Sequence, residues 1–288
     1  HTLKRWNGED LSGKKILLSC EQGIGDQVRY LNCVDDIIEQ AEHVFIETEP
    51  RLVNIISRTY PKATVKALDH KKIANQSHFY YDWPVNDLDY ASSMLHLYGY
   101  LKPDIESFSQ KSRLLVTDQK LDQKWQTKID KISNGLKVGI CWRSAQRSLS
   151  RDMHYLDIMD WGPILTQENV TFFSLMYDQC DQEIKEVLEK FGVDIINFSE
   201  LDYKNDIDQV FSLTKQMDVV ISVNSAPASF SGVLGIPTYI PSQLKAWNML
   251  GTDHMVMVPA MKPIIQQERG NWKPVIDELA VILKSYHC

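Results

Sequence analysis

Twice along the chain a strand-length apolar run opens an alternation of β-type and helix-type segments. The first is Lys15-Ile16-Leu17-Leu18-Ser19-Cys20 and the second Lys137-Val138-Gly139-Ile140-Cys141-Trp142. Runs with no polar residue at every second place suit strands buried on both faces, the condition of a parallel sheet covered by helices. The first series continues with a strand over 43–47, a helix over 51–60 stopped by Pro61, and a strand over 63–68. It closes with a strand ending at Phe79-Tyr80-Tyr81 and a helix over 87–97. Residues 99–113 have no periodicity and read as a loop, Leu114-Leu115-Val116 as a short strand, and 121–132 as a charged helix before the turn Ser133-Asn134-Gly135. The second series follows. It has a helix around Ile158, Trp161, Ile164 and Leu165, strands over 170–175 and 193–197, and helices over 182–191 and 206–217. A buried strand over 218–223, a small-residue helix over 228–234, strands over 237–240 and 255–258 and a helix over 272–286 complete it. Each series has its own first strand, so the expected fold is α/β, two Rossmann-like lobes over 1–132 and 133–288 with a cleft between them. The terminal helix is a candidate to pack back on the first lobe.

A formal charge of −7 gives no global basic field for a nucleic acid or an anionic membrane. No apolar run reaches the ~18 residues of a membrane helix. The five cysteines are odd in number and without metal-ligand spacing, so they read as reduced thiols and the chain as cytoplasmic. The chain opens on His1 rather than Met, which is what a piece of a longer protein would show.

Three stretches hold candidate chemistry. In Gln22-Gly23-Ile24-Gly25-Asp26, two glycines turn a buried strand into a helix at the sheet edge where open α/β sheets bind ligands. Asp26 there either caps the helix, stabilised by ~0.3–1 kcal/mol from its dipole, or acts as a catalytic carboxylate. The third glycine of a dinucleotide fingerprint is missing. Arg143, Ser144, Arg147 and Arg151 crowd the loop after the second series' first strand, as a solvated loop or as a clamp for a pyrophosphate, which guanidinium groups bind bidentately. Asn224-Ser225-Ala226-Pro227 turns a buried strand into a helix of small residues. Small side chains let an anion reach the first-turn amides, and close helix-to-sheet packing selects them equally. The Asp-x-Asp pairs at 87–89 and 206–208 open helices and read as caps rather than metal ligands. The sequence offers no zinc pair of histidines and no Gly-x-Ser-x-Gly elbow.

Taken in order, these pieces resemble a family. Trp6-Asn7-Gly8-Glu9-Asp10-Leu11-Ser12-Gly13-Lys14-Lys15, then Glu21 to Asp26 and Arg29-Tyr30, resemble the opening of bacterial heptosyltransferase-like glycosyltransferases, in particular those that follow tetratricopeptide repeats in longer chains. Val138 to Trp142, Phe173-Ser174-Leu175, Asp218 to Ala226, Gly232-Val233-Leu234-Gly235-Ile236-Pro237, Trp247 and Gly270-Asn271-Trp272 extend the similarity over nearly the whole chain. The resemblance implies a GT-B fold, an N-terminal acceptor lobe and a C-terminal lobe for a nucleotide-sugar donor. It implies a metal-independent transfer to a hydroxyl of a glycan, lipid-linked or protein acceptor, with no cofactor beyond the donor. It makes Asp26 the general base. Gln22, Gly23, Gly25 and Arg29 fall to the acceptor, and Asn224, Ser225, Ala226 and Trp247 to the donor with the arginine loop. Two departures stand out: Asn224 where the family has an acid, and no histidine near Ser229 or Phe230. They leave an alternative, a non-catalytic module that binds a sugar nucleotide or a protein through the same shell.

Overall fold

A computed structural model describes residues 3–73, 76–80, 83, 85–108, 114–144 and 155–287. The chain forms two compact units, one holding the described residues up to Phe108 with Leu114–Val116, the other the described residues from Thr117 onward.

In the first unit, strands β1 (Lys4–Arg5), β2 (Lys15–Ser19), β3 (His43–Thr48), β4 (Thr64–Ala67) and β7 (Tyr90–Ser93) form one sheet in the order β1-β7-β2-β3-β4. Every neighbouring pair is parallel. Between β4 and β7, β5 (Asp69–Ile73) and β6 (Gln76–Tyr80) make a separate antiparallel hairpin. The central strand β2 buries Ile16, Leu17 and Leu18, and Leu17 packs with Trp83 and Leu88. Burying such side chains contributes about 1.5–3 kcal/mol each.

In the second unit, β8 (Leu136–Cys141), β9 (Val170–Ser174), β10 (Ile195–Ile196), β11 (Val219–Ser222), β12 (Thr238–Ser242) and β13 (Met261–Ile265) form a parallel sheet in the order β10-β9-β8-β11-β12-β13. Counted from β8, this is the doubly-wound order 3-2-1-4-5-6, whose direction of winding reverses between β8 and β11. The first unit repeats the start of that order, with its reversal between β2 and β7. Both reversals are where a parallel sheet opens a crevice at its carboxyl ends.

Several expectations change. The expected boundary at 132 places the helix Gln119–Ile129 in the first lobe, but the helix belongs to the second unit, and the division falls near 116. Its fully buried Trp125 stands edge-on to Phe198 at 4.9 Å, and Lys215 Nζ donates to Asp122 at 2.6 Å. The terminal helix Lys273–Lys284 packs on the helix Gly162–Leu165 and on β12 and β13 of its own unit. The helix expected over 87–97 is β7 followed by the helix Met94–Leu101. The run after Gly23 is three pieces: a helix Ile24–Arg29, a 3-10 turn Tyr30–Cys33 and a helix Val34–Gln40. Residues 255–258 form a buried turn closed by one bridge, and the strand lies just beyond them at β13.

Candidate functional site

At the reversal of the second sheet, β8 ends in Cys141 and β11 in Ser222, directly paired in register. From β11 the chain passes through Val223 and the exposed Asn224 to Ser225, the cap of the helix Ala226–Val233. A serine at this place ordinarily accepts from an amide of the first turn. Ser225 makes no such bond. Its hydroxyl turns instead to Ser222 Oγ at 3.3 Å and Cys141 Sγ at 3.7 Å. The first-turn amides of Ala226 and Ala228 receive no bond from the Ser225 hydroxyl, and Pro227 has no N–H to satisfy. An eight-residue helix start, uncapped and lined by small side chains, faces the carboxyl edge of the sheet.

Arg143 and Ser144 follow β8 at the same edge. Arg143 is turned into the protein: Nε and Nη2 donate to Glu183 at 2.8 and 2.6 Å, Nη1 to Asp178 at 3.1 Å, and Nη2 to the Gln179 carbonyl at 2.7 Å. These bonds, Glu183 first, hold its guanidinium pKa above the ordinary value. They take four of the five N–H donors of an arginine, so in this conformation Arg143 pins its own loop rather than offering a free fork. Glu183 Oε1 also accepts from Trp142 Nε1 at 2.9 Å. Ser144 Oγ lies 2.8 Å from Tyr177 Oη. Arg147 and Arg151 lie outside the described residues. Trp247 stands in the loop after β12, the strand beside β11, and is 62% exposed.

In the first unit, β2 runs through Cys20 and Glu21 to Gln22, whose φ of +65° is left-handed, and then to Gly23, the cap of the helix Ile24–Arg29. Asp26 lies in the first turn of that helix, its carboxylate 31% exposed and hydrogen-bonded to Arg29 Nη2 one turn on. Gly25 is buried under the turn. The structure therefore brings Gln22, Gly23, Gly25, Asp26 and Arg29 together at the carboxyl edge of β2. Two buried polar residues escaped the sequence reading. Gln27 bonds to the ends of β3 and of the turn, and Glu47 on β3 accepts from Trp83 Nε1 at 3.0 Å and Ser19 Oγ at 3.4 Å. Burial pushes the Glu47 carboxyl up from its ordinary value. A polar residue breaking the apolar pattern of a strand or short helix was the available signal for both.

Among the described residues, no group of three or more His, Cys, Asp and Glu side chains gathers as a metal set, and no helix is long and apolar enough to cross a membrane.

No protein-family model matches the chain. It is 29% identical over 289 residues to protein FlbA of Caulobacter vibrioides, an alignment taking in 98% of this chain and 48% of FlbA. The chain thus spans about half the length of the curated relative it matches. Among solved structures it is similar to a glycosyl transferase family 9 protein of Veillonella parvula, with a TM-score of 0.68 at 9% identity over 97% of this chain and 98% of that one. It is similar also to the Escherichia coli ADP-heptose lipopolysaccharide heptosyltransferase II, with a TM-score of 0.61 at 11% identity over 95% and 100% of the two chains. The E. coli heptosyltransferase WaaC, solved with ADP, gives 0.56 at 9% identity over 95% and 98%. At these identities the likeness is one of architecture, and the chain has the GT-B fold.

Proposed function

We propose that the chain is a glycosyltransferase domain that moves a sugar from a nucleotide-sugar donor to an acceptor hydroxyl without a metal ion. The observation that carries this reading is the uncapped helix start at Ser225, placed at the winding reversal of the second sheet in a GT-B fold. Amides presented there suit the diphosphate of a donor, and they would take up the charge that grows on it as it leaves. Asn224, Ser225 and Ala226 form that cradle, with Ser144 on the β8 side and Trp247 on the β12 side. In the first unit, Asp26 would accept the proton of the acceptor hydroxyl as its oxygen bonds to the anomeric carbon and the sugar–phosphate bond breaks. Arg29 would hold the carboxylate in place, and the Gln22–Gly25 turn would leave room for the acceptor, a glycan, a lipid-linked saccharide or a protein.

A general base contributes typically 10²–10⁴-fold, so Asp26→Asn is expected to cut sugar transfer by about that factor while binding of a nucleoside diphosphate persists. Transfer within a few-fold of the parent would remove Asp26 as base. Excess EDTA is expected to leave the rate unchanged. The exposed Asn224, where the resembling family carries an acid, favours a second reading, a binding module without turnover. A nucleotide sugar that raises the melting temperature, with no transfer and no donor hydrolysis over a panel of acceptors, would select that reading. If UDP, GDP, ADP and CMP and their sugar conjugates all fail to stabilise the protein, the donor site falls with both.

A further inference from the structure

Gln27 is one of the few polar side chains sealed in the first unit, 3% exposed, and its amide is engaged by the protein's own groups. It holds three groups from two separate stretches of chain. Its Oε1 accepts from Thr48 Oγ1 at 3.0 Å and from the Glu49 amide at 3.0 Å, both at the carboxyl end of β3. Its Nε2 donates to the Gln22 carbonyl at 3.2 Å. Gln22 is the residue in the left-handed region, a conformation that costs a non-glycine residue on the order of 1 kcal/mol and persists only where the surroundings impose it. The helix that carries Asp26 has six residues before the 3-10 turn Tyr30–Cys33, and helices this short depend on tertiary contacts. It therefore takes its position from what it is tied to.

From this geometry we infer that Gln27 is the positioning residue for Asp26. It clamps the first turn of the helix to the end of β3 and keeps the Gln22 turn closed, while Arg29 bonds the carboxylate directly. The inference rests on the reading of Asp26 as base. A displacement of about 1 Å at a reacting group can cost up to 10²-fold in rate, so a clamp of this kind acts on turnover and not on donor affinity.

The test uses the whole chain and three variants. Gln27→Met keeps the volume and removes all three bonds, and Thr48→Val removes one of them with a side chain of nearly the same shape. Asp26→Asn reports on the base itself. The expected result is a kcat lowered by about tenfold or more in Gln27→Met and by a few-fold in Thr48→Val, with the donor KM within about twofold and the nucleoside-diphosphate thermal shift unchanged. Where Gln27→Met does not fold, Thr48→Val decides alone. Unchanged kcat in the folded variants beside an inactive Asp26→Asn would overturn the positioning role and leave the base standing. A rate loss that only follows the fraction of folded protein would overturn it too. An active Asp26→Asn would instead sink the base reading, and the inference with it.

Discussion

Ala226→Asp separates a cradle for an anion from a helix start that merely packs well, because the two predict opposite signs in one variant. Ala226 is the first residue of the helix Ala226–Val233, and Ser225 before it makes no capping bond. A carboxylate in the first turn of an uncapped helix interacts favourably with the dipole by about 0.3–1 kcal/mol. The second unit is of a size where 1 kcal/mol moves the melting temperature by about 2–4 °C, so the ligand-free variant should melt about 1–4 °C higher than the parent. A nucleoside diphosphate at a hundred times its dissociation constant should add about 2.7 kcal/mol to the parent, or about 5–10 °C. In the variant, the same ligand brings its phosphate to about 4 Å from a fixed negative charge, a repulsion of about 4 kcal/mol per charge pair at an effective dielectric of 20. That is close to a thousandfold in affinity, which removes the thermal shift at the same concentration. The assay is differential scanning fluorimetry with and without each nucleoside diphosphate. A variant that keeps the full ligand shift while the parent shows it would place the phosphates elsewhere. A variant that melts lower without ligand would mean the helix start is not open.

Two further outcomes follow from burial. Trp125→Ala empties the site of an indole 1% exposed against Phe198, so the second unit should lose about 3–5 kcal/mol, read as a lower urea midpoint; a loss under about 1 kcal/mol would detach the helix Gln119–Ile129 from the second unit's core. Glu47 is protonated more readily folded than unfolded, because burial raises its pKa above the ordinary 4.5. Its contribution is therefore fully present below that value and is lost as pH rises through the raised one. Glu47→Gln, which keeps an acceptor for Trp83, should be more stable than the parent at pH 7–8 and should approach it below about pH 4, in urea titrations across that range. A parent–variant difference that stays constant with pH would refute the buried-carboxyl assignment.

The two openings at Lys15 and Lys137 were legible because a strand flanked on both sides by other parallel strands must be apolar along its whole length, and both β2 and β8 sit centrally. The turns at Gly23 and Ser225 were legible for the same reason, since each follows such a strand. β7 was not, because Tyr90-Ala91-Ser92-Ser93 runs straight into Met94 and its small residues suit a helix. Its strand state comes from the slot beside β2, a tertiary choice that overrides propensity. β13 contains Pro263, which reads as a breaker and is tolerated because the strand lies at the sheet edge. At the site, the sequence showed a cation at Arg143 but not the carboxylate of Glu183, forty residues on, that occupies it. The residues that position Asp26 were hidden likewise. Thr48 and Gln27 are far apart in sequence and meet only through the pairing of β2 with β3.

The described thiols have a use of their own. Cys20 and Cys33 lie sealed in the first unit, Cys141 and Cys180 in the second. Burial pushes Cys20 and Cys33 up to about 12 and Cys141 to about 11, and raises Cys180 as well. A sulfur that is both covered and protonated does not react with an alkylating reagent, whereas the same sulfur in an opened chain does. The protein therefore comes with native reporter thiols in each half, and mass-resolved alkylation over time would clock the opening of one half against the other without an engineered site.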